Sequence, residues 1–131
     1  ILENYKADVG LTNKQWPSTF GWEELRMKRF LVGKGTSEDE QFKEHVDVKQ
    51  HESAKRFLIL MVYLNHDFDG GETVFPQLGD AIAPRKGRIL MFPPMWTYLH
   101  RGEPPTGNGY AKYFLMTYLN YGDVNDFYPK G

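Results

Sequence analysis

The chain has no cysteine, which excludes disulfides, thiolate metal sites and a cysteine nucleophile among its 131 residues. It also lacks an excess of either charge, with 16 basic and 17 acidic residues and a formal net charge of -1. Nucleic-acid-binding domains usually carry a basic patch or stripe, and no such stripe occurs here. The composition therefore predicts that nucleic acid is not a partner.

Long hydrophobic segments are missing as well. No apolar run approaches the roughly 20 residues that a transmembrane helix needs, and the N-terminus shows no recognisable signal peptide. We therefore expect no membrane partner. Because the first residue is Ile1 and not methionine, we expect the chain to be a fragment or to lack a disordered leader.

Short apolar segments separated by glycine and proline make up most of the chain. The longest, 57–64, has the length of a strand covered on both faces, and 111–119 predicts a second strong strand. Shorter strands are predicted over 23–32, 42–47, 72–76, 81–84, 88–92 and 96–100. The first 22 residues are predicted to be irregular. Length and pattern together predict one all-β domain over 1–131, a sandwich or barrel with few or no helices.

The segment 42–47 carries the first candidate site. Alternate side chains of an extended strand point to the same face, so His45 and Asp47 would project together. An imidazole beside a carboxylate is half of a site that suits iron, manganese or zinc. Such a pair alone is more often an exposed polar pair, so the hypothesis needs a third ligand. His100 is the candidate.

An ordered set of motifs surrounds these residues. It comprises HVD at 45–47, YLN at 63–65, GGETVFP at 70–76, GRILMF at 87–92, His100, and GYAKY at 109–113. The set resembles the double-stranded β-helix (jelly-roll) dioxygenases that use Fe(II) and 2-oxoglutarate, in their prolyl 4-hydroxylase-like branch. The resemblance covers about 24–118 and implies a jelly-roll core at about 24–119.

The resemblance assigns the metal and catalytic positions to His45, Asp47 and His100. Fe(II) that must bind both a chelating cosubstrate and dioxygen needs three protein ligands on one face and three open positions. Two histidines and a carboxylate meet that need. The cofactors implied are Fe(II), 2-oxoglutarate and O2, and the resemblance adds ascorbate.

Lys112 and Tyr63 are the residues expected to bind the cosubstrate. Lys112 stands in an otherwise apolar strand, where a buried ammonium without a partner would be costly. The far carboxylate of 2-oxoglutarate would supply that partner, and the alternative is a lysine whose head reaches water. The resemblance gives the Tyr63 phenol a contact with the same carboxylate, whereas the alternative is an ordinary core tyrosine.

The chain departs from the family pattern in three places. The family commonly has a tyrosine that contacts 2-oxoglutarate on the strand before the HxD motif, near a Tyr-x-Gly pattern, whereas this region reads Phe30-Leu31-Val32-Gly33 here and has no tyrosine. An acidic segment, 36–40, lengthens the loop before His45, and we expect it to be a solvated, mobile flap. Lys112 also follows His100 by two or three residues more than is usual in the family.

Other polar residues are weaker candidates. His66, Asp67 and Asp69 could form a metal cluster, but they precede a Gly-Gly pair and are predicted to be turn residues. Arg101 is a candidate for substrate contact at the mouth of the site.

The resemblance implies an enzyme that hydroxylates a C–H bond of a prolyl residue in a peptide or protein and releases succinate and CO2. The alternative is a cupin-type metal-binding jelly roll without oxygenase activity. A cupin would not need a deep cation opposite the metal, so Lys112 separates the two hypotheses. A reducing interior keeps iron ferrous, which favours a cytoplasmic location.

Overall fold

The computed structural model describes residues 1–122. Its helix, α1, spans Leu2–Asp8. The strands are β1 Phe20–Trp22, β2 Arg26–Leu31, β3 Phe42–His45, β4 Arg56–Tyr63, β5 Asp69–Gly70, β6 Thr73–Phe75, β7 Asp80–Ile82, β8 Ile89–Phe92, β9 His100–Gly102, β10 Pro105–Thr106 and β11 Ala111–Tyr121. Short 3-10 turns occupy His51–Ser53 and Trp96–Tyr98. Within residues 1–122, no helix has the length and hydrophobicity to cross a membrane.

The strands form two main antiparallel sheets. The larger has the order β1-β11-β4-β8, and β2 pairs with the same edge of β11 as β1, further along that strand. The smaller has the order β3-β9-β6-β7, and β5 pairs separately with β10. Two antiparallel sheets built from strands distant in the sequence give the predicted jelly roll.

The main core lies between the two sheets. β4 and β11 are paired along most of their length, and their inward side chains alternate with outward ones. Aromatic and aliphatic side chains from both sheets fill the interior: Ile59, Met61, Tyr63, Phe75, Phe92, Phe114, Met116 and Tyr118. The inner faces of both sheets are thus covered, except where polar side chains enclose a cavity described below.

Three local predictions differ from the structure. Residues 2–8 form a helix, because Leu2 and Tyr5 pack on a second apolar cluster that includes Phe57 and Leu119. Seven residues are too few to show a helical period or to be stable alone, so this helix depends on tertiary packing. The segment 96–100 begins with a 3-10 turn, and its strand starts only at His100. β3 ends at His45, two residues earlier than predicted.

The acidic segment 36–40 is largely exposed, as expected, and is held by hydrogen bonds from its acidic side chains. The Asp39 carboxylate accepts hydrogen bonds from the backbone N–H groups of Lys34, Gly35 and Thr36. The Glu40 carboxylate accepts one from the Leu31 N–H at 2.8 Å. Acidic side chains here satisfy backbone donors of the loop and of β2, which composition alone does not reveal.

Candidate active site

The two histidines of the site come from neighbouring strands. β3 and β9 are antiparallel, and His45 lies directly opposite His100 in their register. Directly opposite residues share a face of the sheet, so the two imidazole rings meet with 4.3 Å between their centroids. His100 is buried, whereas His45 lies at the rim of the cavity.

Asp47 joins the histidines although it lies beyond the end of β3. The backbone N–H groups of Asp47 and Val48 both donate to the Pro94 carbonyl, at 2.9 and 3.0 Å, and fix the chain after the strand. The Asp47 carboxylate then lies between the rings, with Oδ1 3.4 Å from His45 Nε2 and Oδ2 3.4 Å from His100 Nε2. One ligand atom from each of the three residues falls within 4.8 Å of the others.

The hydrogen bonds around the cluster leave its inner atoms free. His45 Nδ1 donates to the Lys43 carbonyl at 2.6 Å, and His100 Nδ1 donates to the Tyr98 carbonyl at 2.9 Å. A carbonyl can only accept, so each Nδ1 carries the proton and each Nε2 presents a lone pair. Asp47 Oδ2 is buried and has no hydrogen-bond partner within the described residues. A divalent metal bound by two Nε2 atoms and a carboxylate would satisfy all three groups, so the site fits Fe(II).

The electrostatics of the cluster favour the same ligand forms. Burial acts to raise the pKa of Asp47, but the hydrogen bond that His45 donates when its ring is protonated, together with the charges of the protonated rings, outweighs burial and lowers that pKa. The hydrogen bond to Asp47 raises the pKa of His45 despite partial burial. Burial lowers the pKa of His100. At neutral pH Asp47 is therefore ionised and His100 neutral, as metal ligation requires.

Lys112 lies in the same cavity as the cluster. The cavity has a volume of about 180 Å³, and both Lys112 and the three clustered residues line it. The lysine side chain is 1% exposed, and its Nζ donates to the Gly71 carbonyl at 2.8 Å. Burial lowers the Lys112 pKa to about 8, although the nearby Glu72 charge acts to raise it. The lysine therefore does not reach water, and the structure places a buried cation beside the candidate metal site.

Gly71 is needed for this arrangement. Its φ of +74° lies in the left-handed region, which side chains rarely adopt. A Cβ at this position would lie 2.7 Å from the Phe68 ring and 3.3 Å from Lys112 Cδ. The absence of a side chain lets the carbonyl of Gly71 approach the ammonium.

Tyr63 is placed next to Lys112 but outside the residues that line the cavity. Its ring centroid is 5.7 Å from Lys112 Nζ, and its hydroxyl shares a 2.5 Å hydrogen bond with Thr73 Oγ1. Burial raises the pKa of Tyr63, against the opposing effect of that bond. Thr73, which is 1% exposed, lines the cavity. The phenol can therefore act on a cavity ligand through the Thr73 hydroxyl.

Two further cavity residues were not identified from the sequence. Thr73 is the polar residue on the inward face of β6, where Phe75 is its apolar neighbour two positions on. Tyr118 lies near Asp47, and burial together with the Asp47 charge raises the pKa of its phenol. Lys112, Phe114, Met116 and Tyr118 alternate along β11 and all line the cavity. Extending the two-residue period from Lys112 would have found Tyr118.

The weaker candidates lie elsewhere. His66 Nδ1 accepts the Lys86 N–H at 2.8 Å, and His66 and Asp67 are exposed in an irregular segment. Asp69 lies in the short strand β5 and not in the predicted turn. Among residues 1–122, His45, Asp47 and His100 form the one cluster with metal-ligand spacing. Arg101 donates to Glu103 at 2.5 Å and to Glu44 at 3.1 Å. It lines a surface groove and not the cavity, so it does not lie at the mouth as proposed.

A jelly roll with two histidines and one carboxylate on a cavity wall defines a class, the mononuclear enzymes that carry this non-haem Fe(II) ligand set. Residues 31–120 match the 2OG-Fe(II) oxygenase superfamily. The chain belongs to this family, and this membership favours the oxygenase hypothesis over the cupin-type alternative.

Individual relatives are described as known or putative prolyl hydroxylases. A curated "putative prolyl 4-hydroxylase" of Acanthamoeba polyphaga mimivirus is 35% identical over 60 residues, which cover 40% of this chain and 25% of that protein. The aligned segment thus spans a quarter of the relative's length. A solved prolyl 4-hydroxylase of Phytophthora capsici has a TM-score of 0.58 at 30% identity, over 77% of this chain and 33% of its own.

The fold is also that of a viral enzyme. The viral collagen prolyl hydroxylase of Paramecium bursaria Chlorella virus-1, solved as a 2OG complex, has a TM-score of 0.69. The two chains are 23% identical, and the match covers 93% of this chain and 72% of that one. This likeness confirms the jelly-roll prediction.

Proposed function

We propose that the protein hydroxylates a C–H bond of a prolyl residue in a peptide or protein, consuming 2-oxoglutarate and O2 and releasing succinate and CO2. The observation that carries the proposal is the shared cavity. A three-residue metal cluster and a buried, positively charged lysine line the same space of about 180 Å³. An enzyme that holds a metal and a dicarboxylate side by side needs both features.

His45, Asp47 and His100 would hold Fe(II), which supplies the redox chemistry that activates dioxygen. The protein's part is to keep the three ligands on one side and leave the remaining positions to small molecules. The backbone bonds to both Nδ1 atoms fix the ring orientations before the metal arrives. Because these side chains are already oriented, they lose little conformational freedom when the metal binds, and this favours metal binding.

Lys112 would bind the far carboxylate of 2-oxoglutarate. An ammonium that is 1% exposed and makes one hydrogen bond within the described residues has two N–H donors left. A carboxylate in the cavity can accept them and neutralise the buried charge. Thr73, with Tyr63 behind it, places a hydroxyl on the same cavity wall.

The prolyl substrate is proposed from the relatives. The viral and Phytophthora structures are those of prolyl hydroxylases, and the mimivirus protein is described as a putative one. The mouth of the cavity lies on the side of His45, the more exposed of the two histidine ligands. A peptide approaching from this side would reach the open face of the cluster.

The test is spectroscopic. Fe(II) and then 2-oxoglutarate are added without oxygen, and the visible charge-transfer band of an iron-chelated 2-oxo acid is followed. We expect the band in the parent, none in His100→Ala, and a much higher 2-oxoglutarate requirement in Lys112→Ala. Lys86→Ala, which changes an exposed lysine, is the matched control and should behave as the parent.

Three outcomes would count against the proposal. Bound iron without a band would show a metal protein that does not chelate the cosubstrate. No bound iron would show that the cluster does not bind this metal. If the band forms, admission of O2 with proline-containing peptides should yield succinate and a peptide heavier by one oxygen atom, and hydroxylation only at other residues would overturn the prolyl assignment.

A further inference from the structure

Two cations of β2 face the active-site cavity. Arg26 lies opposite Met116 and Lys28 lies opposite Phe114 in the β2–β11 register. Directly opposite residues project from the same face of a sheet, and all four of these side chains line the cavity. Arg26 is exposed and Lys28 is partly buried, so the pair stands at the mouth and not in the deep part.

Both cations lack an anionic partner in the described part of the chain. Within residues 1–122, no carboxylate lies within 4.0 Å of either side chain, whereas Arg56 and Arg101 are paired with glutamates. Arg56 binds Glu23, and Arg101 binds Glu44 and Glu103. Glu23, Glu44 and Glu103 are thus engaged by these arginines, and none of them neutralises Arg26 or Lys28.

The pair borders the open side of the metal cluster. β2 stands beside β3, because the Phe30 ring packs on Phe42 with centroids 4.9 Å apart. The Phe42 ring in turn lies 5.7 Å from that of His45. The His45 side chain is 34% exposed against 6% for His100, so access to the cluster is from this side. Arg26 and Lys28 therefore line the same cavity on the side from which the cluster is exposed.

The formal charges of the site with metal and cosubstrate bound support a role of Arg26 and Lys28 in substrate binding. This step rests on the proposed function. A divalent metal, the Asp47 carboxylate, the 2-oxoglutarate dianion and the Lys112 ammonium sum to zero. The two cations at the mouth are therefore the charge that remains for the substrate. A partly enclosed cation pair attracts an anionic group and discourages a cationic one.

We propose that Arg26 and Lys28 select a substrate with a carboxylate close to the reacting residue, namely a prolyl peptide with an acidic side chain beside the proline. The Arg26 guanidinium can bind a carboxylate through two parallel N–H donors, and the Lys28 ammonium adds a second positive charge. The two residues act on substrate choice and leave the metal and the cosubstrate to the deeper side chains.

The experiment compares matched peptides on the Fe(II)- and 2-oxoglutarate-loaded protein, kept without oxygen. The probes are acetylated, amidated Gly-Glu-Pro-Glu-Gly and two counterparts in which both Glu residues are replaced by Gln or by Lys. Affinity is measured by calorimetry. We expect the Glu peptide to bind about fivefold more tightly than the Gln peptide, since each partly exposed charge pair contributes modestly. The Lys peptide should bind most weakly, and the Glu preference should shrink as salt is raised.

The variants locate the effect. In the double variant R26Q/K28Q the Glu and Gln peptides should bind equally, while the charge-transfer band and the 2-oxoglutarate affinity stay as in the parent. The control is Arg29→Gln, on the same strand but the opposite face. It should keep the Glu preference.

Several results would overturn the proposal. They are equal binding of the three peptides to the parent, a preference that survives in R26Q/K28Q, and an equal loss in Arg29→Gln. A fall in 2-oxoglutarate affinity in R26Q/K28Q would show that the cations serve the cosubstrate instead. No binding of any peptide, with the charge-transfer band intact, would reject this substrate class without touching the oxygenase assignment. Absence of the band in the parent would instead reject the proposed function.

Discussion

Lys112 and Phe30 lie directly opposite each other on β11 and β2, with the ammonium nitrogen 5.8 Å from the centroid of the phenyl ring. The rings of Tyr63 and Phe114 stand at similar distances, 5.7 and 5.1 Å. Aromatic faces attract a cation but accept no conventional hydrogen bond from it. The ammonium is therefore surrounded by aromatic rings and has one carbonyl partner. A carboxylate ligand would stabilise it by accepting its remaining hydrogen bonds.

The first prediction concerns the stability of the protein without its cosubstrate. The Lys112 pKa of about 8 lies below that of an unfolded lysine, so between about pH 8 and 10.5 the unfolded state binds more protons. The free energy of unfolding of the parent should rise with pH across this window. Lys112→Met removes the buried charge and should stabilise the protein at pH 7 by about 2 kcal/mol.

The measurement is urea unfolding from pH 7 to 10.5, with Lys86→Met as the control at an exposed position. The advantage of Lys112→Met should be complete below pH 8 and should vanish towards pH 10.5. A variant that is less stable than the parent at every pH would show that the Gly71 hydrogen bond outweighs the cost of burying the charge.

The second prediction concerns cosubstrate affinity and pH. The carboxylate binds the ammonium form, so the Kd of 2-oxoglutarate should be constant below about pH 8 and should rise about tenfold per pH unit above it. Lys112→Ala should raise the Kd about 100-fold at pH 7, since it leaves a carboxylate in the cavity without its charge partner. Titration of the anaerobic Fe(II) protein checks both, and the pH effect should be absent in the variant. A pH dependence that persists without Lys112 would assign it to another group.

The third prediction concerns metal binding. Asp47 Oδ2 is buried and has no hydrogen-bond partner in the described residues, so a bound metal ion should supply a partner and stabilise the folded protein. Mn(II), which is stable in air, should raise the melting temperature by about 5 to 10 °C at 100 times its Kd. Asp47→Asn should abolish that rise, whereas Asp67→Asn, at an exposed position outside the cluster, should keep it.

The same titration has an expected pH profile. The hydrogen bond to Asp47 raises the pKa of His45, and a protonated imidazole cannot bind metal. Mn(II) affinity should therefore fall as the pH is lowered through that pKa. An equal melting rise in Asp47→Asn and the parent would place the bound ion elsewhere.

The fourth prediction concerns Tyr63 and Thr73, whose hydroxyls share a buried hydrogen bond. Thr73→Val leaves the phenol without its partner and should cost about 2 kcal/mol of unfolding free energy. Tyr63→Phe should cost less, and the two changes together less than their sum.

Cosubstrate titrations of the same variants separate a direct from an indirect role of Tyr63. If the phenol acts through Thr73, Tyr63→Phe should weaken 2-oxoglutarate binding in the parent and have no effect in Thr73→Val. An equal loss in both backgrounds would assign Tyr63 a direct contact with the ligand.

The sequence was sufficient for the main features of the site because each has a local signature. His45 and Asp47 are close in the chain, so their meeting needs only one extended segment and its end. Lys112 was conspicuous since a charge within an apolar strand requires a partner. The strong strands β4 and β11 were predicted nearly to their ends, because burial on both faces leaves a continuous apolar run.

Other features could not be read from the sequence because they depend on contacts between distant segments. The pairing of β3 with β9 puts His100 opposite His45. Backbone hydrogen bonds to the Pro94 carbonyl place Asp47 next to both histidines. Arg101 was expected at the mouth, but Glu44 and Glu103 hold it outside the cavity. Helix α1 forms because Leu2 and Tyr5 pack on an apolar cluster contributed by β4 and β11.

The sequence by itself determined which chemistry is available: two imidazoles, one carboxylate and one ammonium in an all-β domain. Tertiary structure decided which of the charged residues share the cavity. Strand register sets the face and the level of every side chain, and register is fixed by pairing between segments far apart in the chain. That is why Arg26 and Lys28 became part of the site while Arg101, adjacent to a metal ligand, did not.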